Sequence, residues 1–130
     1  MSDYLVDTNV LIRCLRGMSE SIDCLQQLHD RGELYVSVLS RAEILARLWP
    51  DEEKRTLQLL SALVSLPVDQ AVADAAGRLL FDQARQGTPM NVFDAIIAAT
   101  ATQQRLTLVS HDTHHFARIP ELEVVNPNHR

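Results

Sequence analysis

Short apolar runs alternate with stretches of helical periodicity along all 130 residues, and this alternation decides most of what the chain can fold into. The runs at 4–6, 34–38, 66–68, 106–109 and 122–125 read as strands. Proline at 67 confines the third of them to a place where no amide is needed. Helical patterns fill the spaces between. One runs from Val10 to about Arg16 and is closed by Gly17; the next opens at Ser19 or Ser21 and carries Ile22, Leu25 and Leu28 towards Gly32. A third, with Ile44, Leu45 and Leu48, follows Ser40 and stops at Pro50. A fourth is capped by Asp51 and aligns Leu57, Leu60 and Leu63/Val64. Residues 69–86 form a long helix with Val72, Ala75/Ala76, Leu79/Leu80 and Ala84 inward. Residues 92–103 form one that is apolar nearly all round, and therefore buried. Strands separated by helices imply right-handed crossovers, so the expected fold is α/β: a three-layer sandwich with a mostly parallel sheet covered on both faces. The length suits one domain spanning 1–130.

In such a sheet ligands collect beyond the carboxyl ends of the strands. Asp7 and Asp112 each follow a strand directly, so both belong on that rim. Glu43 follows the second strand, and Asp94 opens the most apolar helix. Each acid has a plain structural explanation. Asp7 is a good helix cap, unless Thr8 or Asn9 takes that role. Ser40-Arg-Ala-Glu43 fits a capping box. Asn91-Val-Phe-Asp94 places an acid in a first turn, where the helix dipole favours it. Asp112 can cap a short turn through His115-Phe116, with Phe116 in the core. Capping does not explain why four acids fall at element ends that one rim can collect. Such a cluster repels itself unless cations or protons neutralise it. Oxygen donors without Cys or His partners suit Mg²⁺ or Mn²⁺ over zinc. A cation of that kind acidifies water and stabilises the oxygens of a phosphodiester displacement.

A net charge of −5 argues against a module that coats nucleic acid unselectively. It is compatible with a small site where bound cations neutralise the acids locally. Cys14 and Cys24 lack disulfide or zinc spacing and read as buried thiols of a reducing compartment. The N-terminus lacks the basic-then-apolar pattern of a leader, and no apolar run approaches the roughly 20 residues that span a bilayer. The expectation is a cytoplasmic protein.

Four segments together resemble the PIN-domain family, and within it the VapC-type toxins of bacterial toxin–antitoxin pairs. They are Tyr4-Leu-Val-Asp7-Thr-Asn-Val-Leu-Ile12, Ser37-Val-Leu-Ser-Arg-Ala-Glu43-Ile-Leu45, Asp94-Ala-Ile-Ile-Ala-Ala99 and Leu106-Thr-Leu-Val-Ser-His-Asp112-Thr-His-His-Phe116. The resemblance implies a Rossmann-like sandwich, Mg²⁺- or Mn²⁺-dependent endoribonuclease activity, homodimerisation and inhibition by a VapB-type antitoxin. It carries Asp7, Glu43 and Asp94 over as the metal site, with Asp112 at a position that is Asp or Asn in the family. It gives Ser110 a contact near the metal and lets Thr8 or Asn9 orient Asp7. Arg47 departs from the pattern, since relatives often have a small residue there. His111, His114 and His115 beside Asp112 are candidates for RNA contact or proton transfer, and Arg13, Arg16, Arg41 and Arg85 for phosphate contacts. The expected reaction is in-line attack of water on phosphorus, leaving a 5′-phosphate on the downstream fragment. Two rivals remain. One is a catalytically silent module that binds metal, RNA or protein, because a fold does not guarantee chemistry. The other is a phosphatase-like enzyme with Asp7 as nucleophile, which wants a second Asp where Asn9 stands.

Overall fold

The computed structural model describes residues 3–127; Met1 and Ser2, where the N-terminal stretch read for a leader begins, and residues 128–130 lie outside the described residues. Five strands, β1 (Tyr4–Val6), β2 (Leu34–Ser37), β3 (Val64–Leu66), β4 (Thr107–Val109) and β5 (Val124–Val125), form one sheet in the order β3-β2-β1-β4-β5. Every pairing is parallel. The expected sandwich is therefore observed, and its sheet is parallel throughout.

Seven α-helices connect the strands: α1 (Thr8–Leu15), α2 (Ser19–His29), α3 (Val38–Arg47), α4 (Glu53–Ser61), α5 (Gln70–Arg85), α6 (Val92–Gln104) and α7 (Thr113–Phe116). The two-residue period of the strands sorts their side chains to opposite faces. Tyr4 and Val6 pack with Val10, Leu11, Leu25 and Leu60 under α1 to α4. Leu5 and Leu108 pack with Ile97, Ala98 and Phe116 under α6 and α7. α5 lies outside α6, joined to it through Val72, Ala76, Ala95 and Ala99. This second layer explains why α6 is apolar almost all round: it is covered by the sheet on one side and by α5 on the other. Among the described residues no helix is long and apolar enough to cross a membrane.

Several local expectations are corrected. α1 starts at Thr8, not Val10, so Thr8 and Asn9 lie inside its first turn and Asp7 is the cap. α3 starts at Val38 with Ser37 as N-cap, its hydroxyl accepting the Leu39 N–H at 3.1 Å. Neither Ser40 nor a capping box opens that helix, and it stops at Arg47, before Pro50. Asp51 does not cap α4; it lies in a 3₁₀ turn, Pro50–Glu52, that precedes it. Leu57 is exposed while Thr56 is buried, and Val64 belongs to β3, two residues before the expected strand start. At the end of α5, Gln83 rather than Ala84 faces inward. Cys24 is buried and Cys14 only half-buried.

The chain lays down β1, β2 and β3 outward in one direction, then returns to place β4 on the other side of β1. That reversal opens a crevice beyond the carboxyl ends of β1 and β4. The Asp7 N–H donates to the Val109 carbonyl at 2.9 Å, so the two strands stay joined right up to it.

Candidate active site

Asp7, Glu43, Asp94 and Asp112 all line one cleft of about 340 Å³ above that crevice, with Thr8, Asn9, Asn91 and Phe93. Three of the acids stand at helix N-termini, where backbone amides and the dipole favour negative charge. Asp7 Oδ1 accepts the Thr8 N–H at 2.8 Å. Asp94 sits at the third position of α6: its N–H donates to Asn91 Oδ1 at 2.7 Å, and Asn91 Nδ2 donates back to Asp94 Oδ2 at 3.1 Å. Asp112 caps α7 through the His115 N–H at 3.4 Å. Glu43 is different. It stands mid-helix in α3 with no capping duty, and Arg47 one turn on approaches it to 3.7 Å. The capping box that would have absorbed Glu43 does not form, which frees its carboxylate for the cleft.

Ser110 ties the acids together. Its hydroxyl donates to Asp7 Oδ2 at 2.8 Å and accepts the Asp112 N–H at 3.0 Å and, at 3.4 Å, Asn9 Nδ2. Asp7 is only 5% exposed. Burial pushes its carboxyl up from 3.8 to about 6, against the lowering effect of the Ser110 and Thr8 hydrogen bonds and with a further push from Asp94 and Glu43. Burial also raises Asp94, while nearby His115 and the Asn91 hydrogen bond lower it. An acid this deep and this crowded is costly to ionise alone and becomes favourable beside a cation.

The PIN domain family model matches residues 4–122. The chain belongs to the PIN domain family. Among its relatives, Ribonuclease VapC10 of Mycobacterium tuberculosis is 32% identical over 128 residues, covering 97% of this chain and 96% of the relative. The tRNA(fMet)-specific endonuclease VapC of Shigella flexneri is 27% identical over 124 residues, covering 92% and 93%. A toxin–antitoxin complex from Klebsiella pneumoniae contains a chain that superposes with a TM-score of 0.81 at 29% identity, covering 98% of this chain and 99% of that one.

In this PIN domain the remaining expected residues divide. Asn9 Oδ1 accepts the His111 N–H at 3.2 Å, so Asn9 links α1 to the loop after β4. Thr8 donates its hydroxyl to Ser40 at 2.9 Å, a buried bond that fixes α1 against α3 and so sets Asp7 relative to Glu43. Ser40→Ala should therefore cost about 1–2 kcal/mol in urea unfolding, because it strands a buried donor. A loss below a few tenths would show that the bond does not matter.

His111 does not line the cleft. Its Nε2 meets Ser21 Oγ at 3.1 Å and its Nδ1 is buried without a partner. Burial, with the charge of Arg13, lowers its pKa, against the opposing pull of Glu20. Arg13 is likewise not among the residues lining the cleft, and its charge acts on His111. His114 is exposed, and of the three histidines only His115 acts electrostatically on Asp94. Arg85 lies over the Phe81 ring at 5.4 Å on α5. Asn91 and Phe93 were not expected to line the cleft. The Asn-x-x-Asp spacing at 91–94 carried the only signal for the first.

The donor set is entirely oxygen, which fits a hard cation. Among the described residues, no three His, Cys, Asp or Glu side chains converge into a ready-made cage. Mg²⁺ does not require one, since it keeps several waters and is held by one or two carboxylates.

Proposed function

We propose that this PIN domain is a Mg²⁺- or Mn²⁺-dependent endoribonuclease, the toxin of a toxin–antitoxin pair, working in the cytoplasm as a homodimer restrained by a VapB-type antitoxin. The observation that carries the reading is the four-acid cleft at the sheet's switch point, with a carboxylate at its base too buried to ionise comfortably without a cation. Kinship with proteins named as ribonucleases supports RNA as the substrate.

Asp7, Glu43 and Asp94 would hold the cation, one or two of them directly and the rest through its waters, with Asp112 at the exposed margin. When bound, the cation neutralises the cluster, acidifies the attacking water and stabilises the departing oxygen. The protein's own contribution is to keep the acids in place. Ser110 and the Thr8 amide lock both oxygens of Asp7, Asn91 clamps Asp94, and the His115 amide holds Asp112. Phe93 supplies an apolar wall, which limits how much water shares the cleft.

The purified protein with Mg²⁺ or Mn²⁺ should cut a mixed RNA pool, leave a 5′-phosphate on the downstream fragments, and stop when EDTA is added. Cleavage unaffected by EDTA would remove the metal from the reading. Calorimetric metal binding with no cleavage of any pool would establish the silent binding module instead.

A further inference from the structure

The cleft is acidic and the chain carries a net charge of −5, so an RNA strand must find its cations close to the acids but outside them. Among the described residues Arg47 is the only cation in ion-pair contact with an acid of the cleft. Its side chain is 63% exposed, and so loosely held that the Glu43 pair contributes little to stability. Arg16, which caps the end of α1, lines the same small recess as Arg47, together with Leu15 and Leu48. Glu52 also lines that recess, but its carboxylate is engaged by Arg55 at 3.5 Å and by the Trp49 N–H at 2.9 Å. With two arginines and one glutamate in its lining, the recess carries a net positive charge.

Two residues beyond Arg47 stands Trp49, the chain's only tryptophan, 69% exposed. Leaving an indole in water forfeits the burial that normally places it in a core. Its backbone is not loose. Trp49 is extended, at φ −83° and ψ 152°, as the following Pro50 demands. Its N–H reaches Glu52, and its carbonyl accepts the Glu52 N–H at 2.9 Å. Trp49 follows Leu48 and hydrogen-bonds Glu52, both of which line the recess of Arg16 and Arg47. An exposed aromatic at the edge of a recess with two guanidinium groups combines what single-stranded RNA recognition uses: bases stack on the ring, and phosphates meet the arginines.

We propose that Arg16, Arg47 and Trp49 form a single-stranded RNA subsite flanking the acid cleft, the arginines taking phosphates and the indole stacking on a base beside the cleaved bond. This rests on the endoribonuclease reading, and it places unpaired RNA at the α3–α4 corner.

Because Trp49 is the only tryptophan, its fluorescence reports the contact directly, in EDTA and without turnover. A short single-stranded RNA should quench it saturably. Arg47→Ala should weaken that binding about fivefold or more and flatten its salt dependence, while Arg47→Lys recovers part of it. In cleavage assays Trp49→Ala should raise KM about tenfold with kcat within twofold, and leave Mg²⁺ affinity by calorimetry unchanged. An indole signal indifferent to RNA in a protein that cleaves RNA would overturn the subsite and spare the nuclease. So would variants with the wild-type KM, or an indole that responds only to protein concentration, which would assign the corner to a second copy. RNA-dependent quenching in a protein that cuts nothing would keep the subsite and sink the nuclease.

Discussion

Asp7→Asn should abolish cleavage and, at pH 7, make the metal-free protein more stable. The two effects share one cause. Asp7 is buried, its carboxyl is raised to about 6, and at neutral pH the folded chain must hold an ionised group that burial disfavours. A shift of that size corresponds to about 3 kcal/mol of destabilisation at neutral pH. An asparagine keeps the acceptor for the Thr8 amide but loses the charge. It also presents an NH₂ to Ser110, whose hydroxyl already accepts from Asp112 and Asn9. That crowding takes back part of the gain, so the expected stabilisation is about 1–2 kcal/mol. Cleavage should fall about a thousandfold or more, the equivalent of losing roughly 4 kcal/mol of transition-state stabilisation. Urea unfolding in EDTA and a single-turnover cleavage assay read the two halves separately. An inactive variant that is also less stable would mean that Asp7 matters to the fold more than to the cation.

The second large effect is a stability that depends on pH in one direction without metal and recovers when metal is added. Asp7 has a folded pKa above its unfolded value, so between about pH 4 and 6 the native state binds more protons than the unfolded one. Stability contributed by the protonated form is full below that window and is lost as pH rises through it. Asp94, also raised by burial, adds to the same trend. Mg²⁺ or Mn²⁺ needs the ionised carboxylates, so its stabilisation should appear as the proton's disappears. At a hundredfold excess over Kd it restores about 2.7 kcal/mol, which for a domain of this size is roughly 10 °C in Tm. Melting curves at pH 5 and 7.5, each with EDTA and with metal, test this. Other carboxylates also titrate, so the wild-type minus Asp7→Asn difference isolates the effect. A difference that is flat across the window, or a metal response as large at pH 5 as at 7.5, would contradict it.

The alternation of apolar runs and helical patterns was enough to read the sheet and to put Asp7 and Asp112 on its rim, because strand ends are written locally. The start of α3 was not legible. Ser37 and Ser40 both lie ahead of an amphipathic stretch, and the β-branched Val38 extends the strand pattern by one. What decides between them is that the Ser40 hydroxyl is already taken by Thr8, 32 residues away. No local pattern carries that. The same holds for His111: its place beside Asp112 suggested the cleft, but a partner 90 residues distant, Ser21, turns its ring the other way. Arg47 looked like a mere departure from family pattern until its distance to Glu43 gave it a neighbour.

The Ser110–Asp7 hydrogen bond joins residues 103 apart in the chain. The stretch through β3 contributes Asp7 and Glu43, and the remainder contributes Asp94 and Asp112. Neither half owns a cleft. A proteolytic fragment that lacks either half keeps two of the four acids and has no cleft to gather them. The site comes into being only when β4 closes against β1, late in the order of the chain.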